Sequence, residues 1–177
     1  MHSIKYEGAV YDTHGELPAI GSRAPDVLLV NTSLHDVSLS NWLGLRKILN
    51  IFPSIDTPVC ARSVVVFDQL ASLHEDFAVL MISYDLPFAH ARFLEQHSLT
   101  QVVGLSAIRH QGFGQNYGVQ IIEGPLAGMF SRAVIVLDEN NTVVHREQIA
   151  DISDEPDYEA AYRSLGITVD LDLLEDQ

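Results

Sequence analysis

The sequence predicts an α/β fold, a central mixed β-sheet flanked by helices, on three observations. Short runs rich in Val, Ile and Leu alternate with helical patterns along most of the chain, an order that places helices over the faces of a sheet. Several of those runs are apolar at consecutive positions rather than at every second one, which suits strands buried on both faces. Residues 133–137 and 143–149 flank Asp138-Glu139-Asn140-Asn141-Thr142, a polar stretch of hairpin length. The sheet is therefore expected to be parallel at its centre with an antiparallel edge.

In order, strands are predicted at residues 27–30, 47–52, 77–83, 102–105, 133–137 and 143–149. Helices are predicted at 57–74, 87–97 and 110–117, with a short one near 39–43 and a final one around 157–165. No repeat, low-complexity tract or linker interrupts them, so residues 1–177 are expected to form one domain. With 47% hydrophobic residues, the chain can build a core without metal or disulfide staples.

A formal charge of −14, from 10 Lys and Arg against 24 Asp and Glu, argues against a nucleic-acid partner, which would demand clustered cations. The lysine near the N-terminus is followed by no apolar stretch of the secretory kind, and no run approaches the ~20 apolar residues of a membrane helix. A cytoplasmic protein with no membrane partner is expected. A lone thiol, Cys60, fits a reducing compartment and allows neither an intrachain disulfide nor a cysteine-built metal site. The acidic residues concentrate in 151–177, where nine face one base, Arg163; a solvated helix and tail account for them.

The segment with chemical content is Phe52-Pro53-Ser54-Ile55-Asp56-Thr57-Pro58-Val59-Cys60-Ala61-Arg62-Ser63. It leaves a buried-looking strand and opens a helix, with Thr57 a good N-cap and Pro58 suited to the first helical position. Cys60 then falls at the third position. There the unpaired N–H groups and the positive end of the helix dipole favour thiolate over thiol. Most lone cysteines simply pack as small hydrophobes, but the helix-start position tips this one toward a nucleophile. Asp56 would oppose the thiolate if its carboxylate lay close, and matters little if solvated.

Other candidates are weaker. The eight histidines form no HxH or HExxH arrangement; His90 and His97, two turns apart on one helix, read as solvated, and no metal or other cofactor is expected. Gly112-Phe113-Gly114-Gln115-Asn116-Tyr117-Gly118 follows no strand and is not a dinucleotide fingerprint.

The spacing Pro53-x-x-x-Thr57-x-x-Cys60 resembles the signature of the peroxiredoxins, and the run FPSIDTPVC is similar to that of their thiol peroxidase branch, the atypical two-cysteine members. The likeness extends through Gly21-Ser22-Arg23-Ala24-Pro25, Ser83-Tyr84-Asp85-Leu86-Pro87-Phe88-Ala89, Gly124-Pro125-Leu126-Ala127-Gly128, Arg132-Ala133-Val134-Ile135-Val136 and Glu155-Pro156-Asp157-Tyr158. It implies a thioredoxin-like fold with an N-terminal hairpin, a homodimer, and reduction of hydrogen peroxide and organic hydroperoxides. It further implies that Cys60 is the peroxidatic cysteine, that the Thr57 hydroxyl orients the peroxide, that Pro53 shields the pocket from water, and that Arg132 stabilises thiolate and developing alkoxide.

One position departs from the pattern. The resolving cysteine of the two-cysteine members would stand where Leu86-Pro87-Phe88-Ala89-His90-Ala91-Arg92-Phe93-Leu94 has Leu94. Turnover is therefore expected to need an external thiol, small or carried by a thioredoxin-type protein. A peroxide sensor or interaction protein that keeps the fold but has lost turnover is the competing expectation.

Overall fold

The computed structural model describes residues 2–74 and 76–174. Strands β1 (Ser3–Tyr6) and β2 (Ala9–Asp12) make a separate antiparallel hairpin. Its turn, Glu7-Gly8, has φ of 48° and 81°, the pair of left-handed residues that matches a two-residue turn to the strand twist. There follow β3 (Leu29–Asn31), β4 (Asp36–Val37), a 3₁₀ turn (Leu39–Trp42), β5 (Arg46–Ile51), α1 (Pro58–Ser72), β6 (Phe77–Ser83), α2 (Pro87–Gln96) and β7 (Val102–Ser106). The chain continues with α3 (Gly112–Asn116), β8 (Ala133–Leu137), β9 (Val143–Gln148), α4 (Tyr158–Ser164) and a last 3₁₀ turn (Leu171–Leu173). The acidic residues Glu175 and Asp176 lie outside the described residues.

The main sheet has seven strands in the order β4-β3-β7-β6-β5-β8-β9. Strands β5, β6 and β7 are parallel, as connections that cross over through α1 and α2 require. The expected hairpin joins β8 and β9; the Asp138 carboxylate accepts from the N–H groups of Asn140 and Thr142. Antiparallel pairs flank the parallel centre on both sides, not on one edge alone, because β3 adds antiparallel to β7 and carries β4. The reversal between β3 and β4 rests on Asn31, whose side-chain oxygen accepts from Ser33 and His35 N–H, with Leu34 at φ 67°. A two-residue strand leaves no periodicity in a sequence to read.

The helix expected at 110–117 is shorter, ending at Asn116. Gly118, at φ +68°, turns the chain beneath residue 16; a Cβ there would sit 2.2 Å from the Glu16 carbonyl oxygen, so only glycine fits.

Because strand side chains alternate, β5, β6 and β8 each feed two cores. Ile48, Phe52, Val79, Met81, Val134 and Val136 face α1, α2 and α4, where they pack with Cys60, Val64, Phe67, Phe93 and Tyr162. Leu49, Ile51, Leu80, Ile82, Ile135 and Leu137 face the other side, with Phe113, Tyr117 and Phe130. Residues of the β1–β2 hairpin form a third, small cluster in which Ile4 meets Ile121 and Ile152. The hairpin is tied down there by Lys5 N–H to Ala150 O at 2.7 Å and Ile152 N–H to Lys5 O at 3.0 Å. Among the described residues no helix is long and apolar enough to cross a membrane.

Candidate active site

Strand β5 extends one residue past its last ladder pair, Phe52 N–H bonding to Ile82 O at 3.1 Å. Pro53, which is buried, ends it. Residues 53–57 then cross the top of the sheet and enter α1, whose N-cap position is Thr57 and whose first residue is Pro58, as the sequence predicts. Thr57 does not use its hydroxyl as a cap: it donates to Ser54 O at 3.0 Å and accepts nothing from the helix. Its backbone N–H donates to the same carbonyl at 3.2 Å, so the loop is closed on itself.

Cys60 lies ahead of the first intrahelical bond, which runs from Ala61 N–H to Thr57 O at 2.9 Å. It therefore occupies the third helical position, where the dipole and free N–H groups favour a negative sulfur. Two further bonds fix this turn to the sheet: Ser63 Oγ donates to Cys60 O at 2.8 Å, and Asn50 Nδ2 donates to Ser63 Oγ at 3.0 Å. The thiol is 0% exposed. Helix-start geometry and full burial hold together.

Arg132, which by its local sequence alone reads as a strand-start cation on the surface, lies in the interior, at 2% exposure. Its Nη2 approaches Cys60 Sγ at 3.5 Å and donates to Ile152 O at 2.9 Å, which Nε also contacts at 3.2 Å. Nη1 is buried and has no partner among the described residues. Ile152 is the residue that the N-terminal hairpin holds, so the hairpin sets the height of the guanidinium above the sulfur.

A cavity of about 380 Å³ opens over this arrangement, lined by Pro53, Ser54, Thr57, Pro58 and Val59 on one side and by Arg132, Tyr6, Leu126, Met129 and Ile152 on the other. Among the described residues no carboxylate lines it, although the chain carries a charge of −14. Asp56 points away, exposed and paired with Arg92 Nη2 at 3.0 Å, so it does not oppose a thiolate. Cys60 does not itself line the cavity; its helical neighbours Pro58 and Val59 and its donor Arg132 do. A second groove, of about 340 Å³, lies along α1 against Phe93, His97 and Leu171 and contains neither Cys60 nor Arg132.

Pro53, Thr57, Cys60 and Arg132 thus converge on one place, from a loop, a helix start and a strand start about 70 residues further on. Leu94 sits in the last turn of α2, half-buried against the core that includes Cys60.

The structure adds a group that composition and spacing do not flag. Asp85, at the end of β6, accepts from Ser54 Oγ at 2.8 Å, Ile55 N–H at 2.7 Å and Ser83 Oγ at 2.6 Å. His90 Nε2 lies 2.8 Å from Ser83 Oγ. His90 is not solvated as its sequence context suggests; it is 0% exposed, and burial pushes its pKa down to about 4, against a smaller upward pull from Asp85. The signal that could have found it is its i,i+3 relation to Phe93, which places both on the buried face of α2.

Residues 19–162 match the model of the family described as Redoxin. The chain is 43% identical, over 166 residues, to thiol peroxidases of Mycobacterium bovis and Mycobacterium tuberculosis; the alignments cover 94% of this chain and 99% of each relative. Among solved structures, a peroxiredoxin-like protein from Aquifex aeolicus superposes with a TM-score of 0.86 at 29% identity, covering 93% of this chain and 96% of the other. A thiol peroxidase from Chromobacterium violaceum does so at 0.84 and 27%, covering 93% and 95%. The fold is thioredoxin-like, and the chain belongs to the redoxin family as a peroxiredoxin-type thiol peroxidase.

Proposed function

We propose that the chain, acting as one folded unit, reduces hydroperoxides through Cys60 in a one-cysteine cycle closed by an external thiol. The observation that carries the reading is the buried Arg132 guanidinium, 3.5 Å from Cys60 Sγ, with Nη1 free of any partner among the described residues. A buried cation with an unused donor costs desolvation energy, and its place beside a sulfur and an open cavity gives that donor an acceptor to wait for.

The chemistry balances in two stages. The Cys60 thiolate attacks the terminal oxygen of ROOH; the S–O bond forms as the O–O bond breaks, and RO⁻ leaves and takes a proton to give ROH. Charge grows on the leaving oxygen, so the Arg132 donor acts mainly in the transition state, joined by the Thr57 hydroxyl as its one hydrogen turns from Ser54 O toward that oxygen. Pro53 closes one wall against water, and the apolar wall formed by Tyr6, Leu126, Met129 and Ile152 suits an organic R group as well as hydrogen. An external thiolate then attacks the sulfenic sulfur and expels water, and a second thiol releases Cys60 with formation of the reductant's disulfide.

The external thiol follows from Leu94: an aliphatic side chain stands where a resolving thiol would, and Cys60 is the chain's one cysteine. A thioredoxin-type protein or a small thiol both satisfy the balance. A cytoplasmic homodimer completes the proposal. Leu86 and Phe88, both exposed at the start of α2, supply apolar surface for self-association.

A reductant-coupled peroxidase assay tests the cycle. Sustained turnover with a thiol donor, abolished in Cys60→Ser, is expected. One round of Cys60 oxidation with no turnover by any donor would instead mark a peroxide sensor.

A further inference from the structure

The residues that shape the reactive loop are held from outside it. Asp85 lies two residues past the end of β6 and is not among the residues that line the cavity. Its carboxylate reaches across to the 53–57 loop and accepts both the Ser54 hydroxyl and the Ile55 N–H. Ser54 in turn presents the carbonyl that receives the Thr57 hydroxyl and N–H, and its own hydroxyl oxygen receives Asp56 N–H at 3.2 Å. Every residue from 54 to 57 is thus tied, directly or through one bond, to a single carboxylate on a neighbouring strand end.

That carboxylate is itself fixed. Ser83 Oγ gives its one hydrogen to Asp85 Oδ2 and accepts from Asp85 N–H at 3.1 Å. The contact with His90 Nε2 must then run from the ring N–H to the serine oxygen. This assigns the Nε2–H tautomer and leaves Nδ1 without a hydrogen, and Nδ1 has no partner among the described residues. Ser106 Oγ donates to Asp85 O at 2.6 Å. His90 cannot retreat, because α2 seats closely on β7: a Cβ on Gly104 would come within 2.9 Å of His90 Cβ.

We propose that Asp85 is a positioning residue for peroxide reduction, holding the loop that carries Pro53 and Thr57 in register with Cys60 by clamping Ser54 and Ile55, with Ser83 and His90 fixing the clamp. The proposal rests on the reading of Cys60 as the peroxidatic cysteine. A clamp outside the reacting shell acts on geometry that only the peroxide reaction needs. Haloacetamide alkylation asks for a thiolate and little else, whereas peroxide cleavage also asks for donors at the leaving oxygen.

The test compares the two second-order rates across pH in Asp85→Asn, Ser54→Ala, Ser54→Thr and the Asp85→Asn/Ser54→Ala pair. Asp85→Asn keeps the volume but turns one acceptor oxygen into a donor. The peroxide rate is expected to fall about 10–100-fold, the range seen when supporting contacts are removed, while the alkylation profile stays within about three-fold. Ser54→Thr restores the hydroxyl and should recover most of what Ser54→Ala loses. The double variant should be about as slow as the slower single one, since both remove the same link. The proposal is overturned if Asp85→Asn reacts with peroxide like the parent, or if both rates fall together with an unchanged ratio. Should Asp85→Asn not fold, the Ser54 pair decides: equal rates for Ser54→Ala and parent, or for Ser54→Ala and Ser54→Thr, overturn it. Failure of the parent to react with peroxide at all would sink the peroxidatic reading of Cys60 instead.

Discussion

Replacing Arg132 with Met removes the cation beside Cys60 and keeps most of the side chain's volume. The guanidinium makes one approach to Cys60 Sγ, at 3.5 Å, and two bonds to Ile152 O, at 2.9 and 3.2 Å. Losing both donors to a buried carbonyl costs about 1–3 kcal/mol. Removing a desolvated cation whose Nη1 is unpartnered offsets a comparable amount. The variant is therefore expected to stay folded, within about 2 kcal/mol of the parent by denaturant midpoint. Reactivity should respond far more. One donor aimed at developing charge is worth about 10²–10³ in rate. Stopped-flow oxidation at a pH where the rate has levelled off reads that loss. A folded variant that reacts with peroxide within about three-fold of the parent at that pH would refute the transition-state role.

Three further outcomes follow from the same geometry. Thr57→Val should lower the peroxide rate about 10²-fold and cost no more stability than the one exposed bond to Ser54 O, about 0.5–1.5 kcal/mol, because the hydroxyl makes no cap bond; a folded variant that reacts with peroxide as fast as the parent would contradict the role given to the hydroxyl. Leu94→Cys should resist over-oxidation and trap a disulfide to Cys60 once α2 loosens to bring the Cα atoms within about 7 Å; mass spectrometry showing sulfinic acid as readily as in the parent would remove Leu94 as the mark of a lost resolving step. His90→Gln should lessen acid sensitivity. The native pKa of about 4 lies below the ordinary 6.5, so the unfolded chain binds the extra proton and the parent loses stability as pH falls from 6.5 through 4, by up to roughly 3 kcal/mol. Unfolding curves whose parent-minus-variant difference stays flat across that window would contradict the assignment of a buried neutral imidazole.

The sequence by itself determined the order of strands β3 and β5 to β9 and of the helices between them, the β8–β9 hairpin and the start of α1. Each is written in short-range chemistry: apolar runs for strands buried on both faces, a polar five-residue turn, and Thr57-Pro58 ahead of a helical pattern that sets Cys60 at its third position. The departure at Leu94 was legible only against the pattern of the family that the sequence resembles. Tertiary structure alone decided what surrounds the sulfur. Arg132 reads locally as a strand-start cation and becomes a buried donor only because β8 pairs with β5 and the N-terminal hairpin holds Ile152. His90 and Asp85 are ordinary polar residues along the chain; the crossover from β6 into α2 closes them onto Ser83, and the carboxylate onto Ser54, 31 positions away. The apolar cavity wall joins Tyr6, Leu126, Met129 and Ile152 from three distant segments. Local patterns carry period and conformational preference, whereas burial and hydrogen-bond partners depend on which faces meet, and that is fixed by long-range strand pairing.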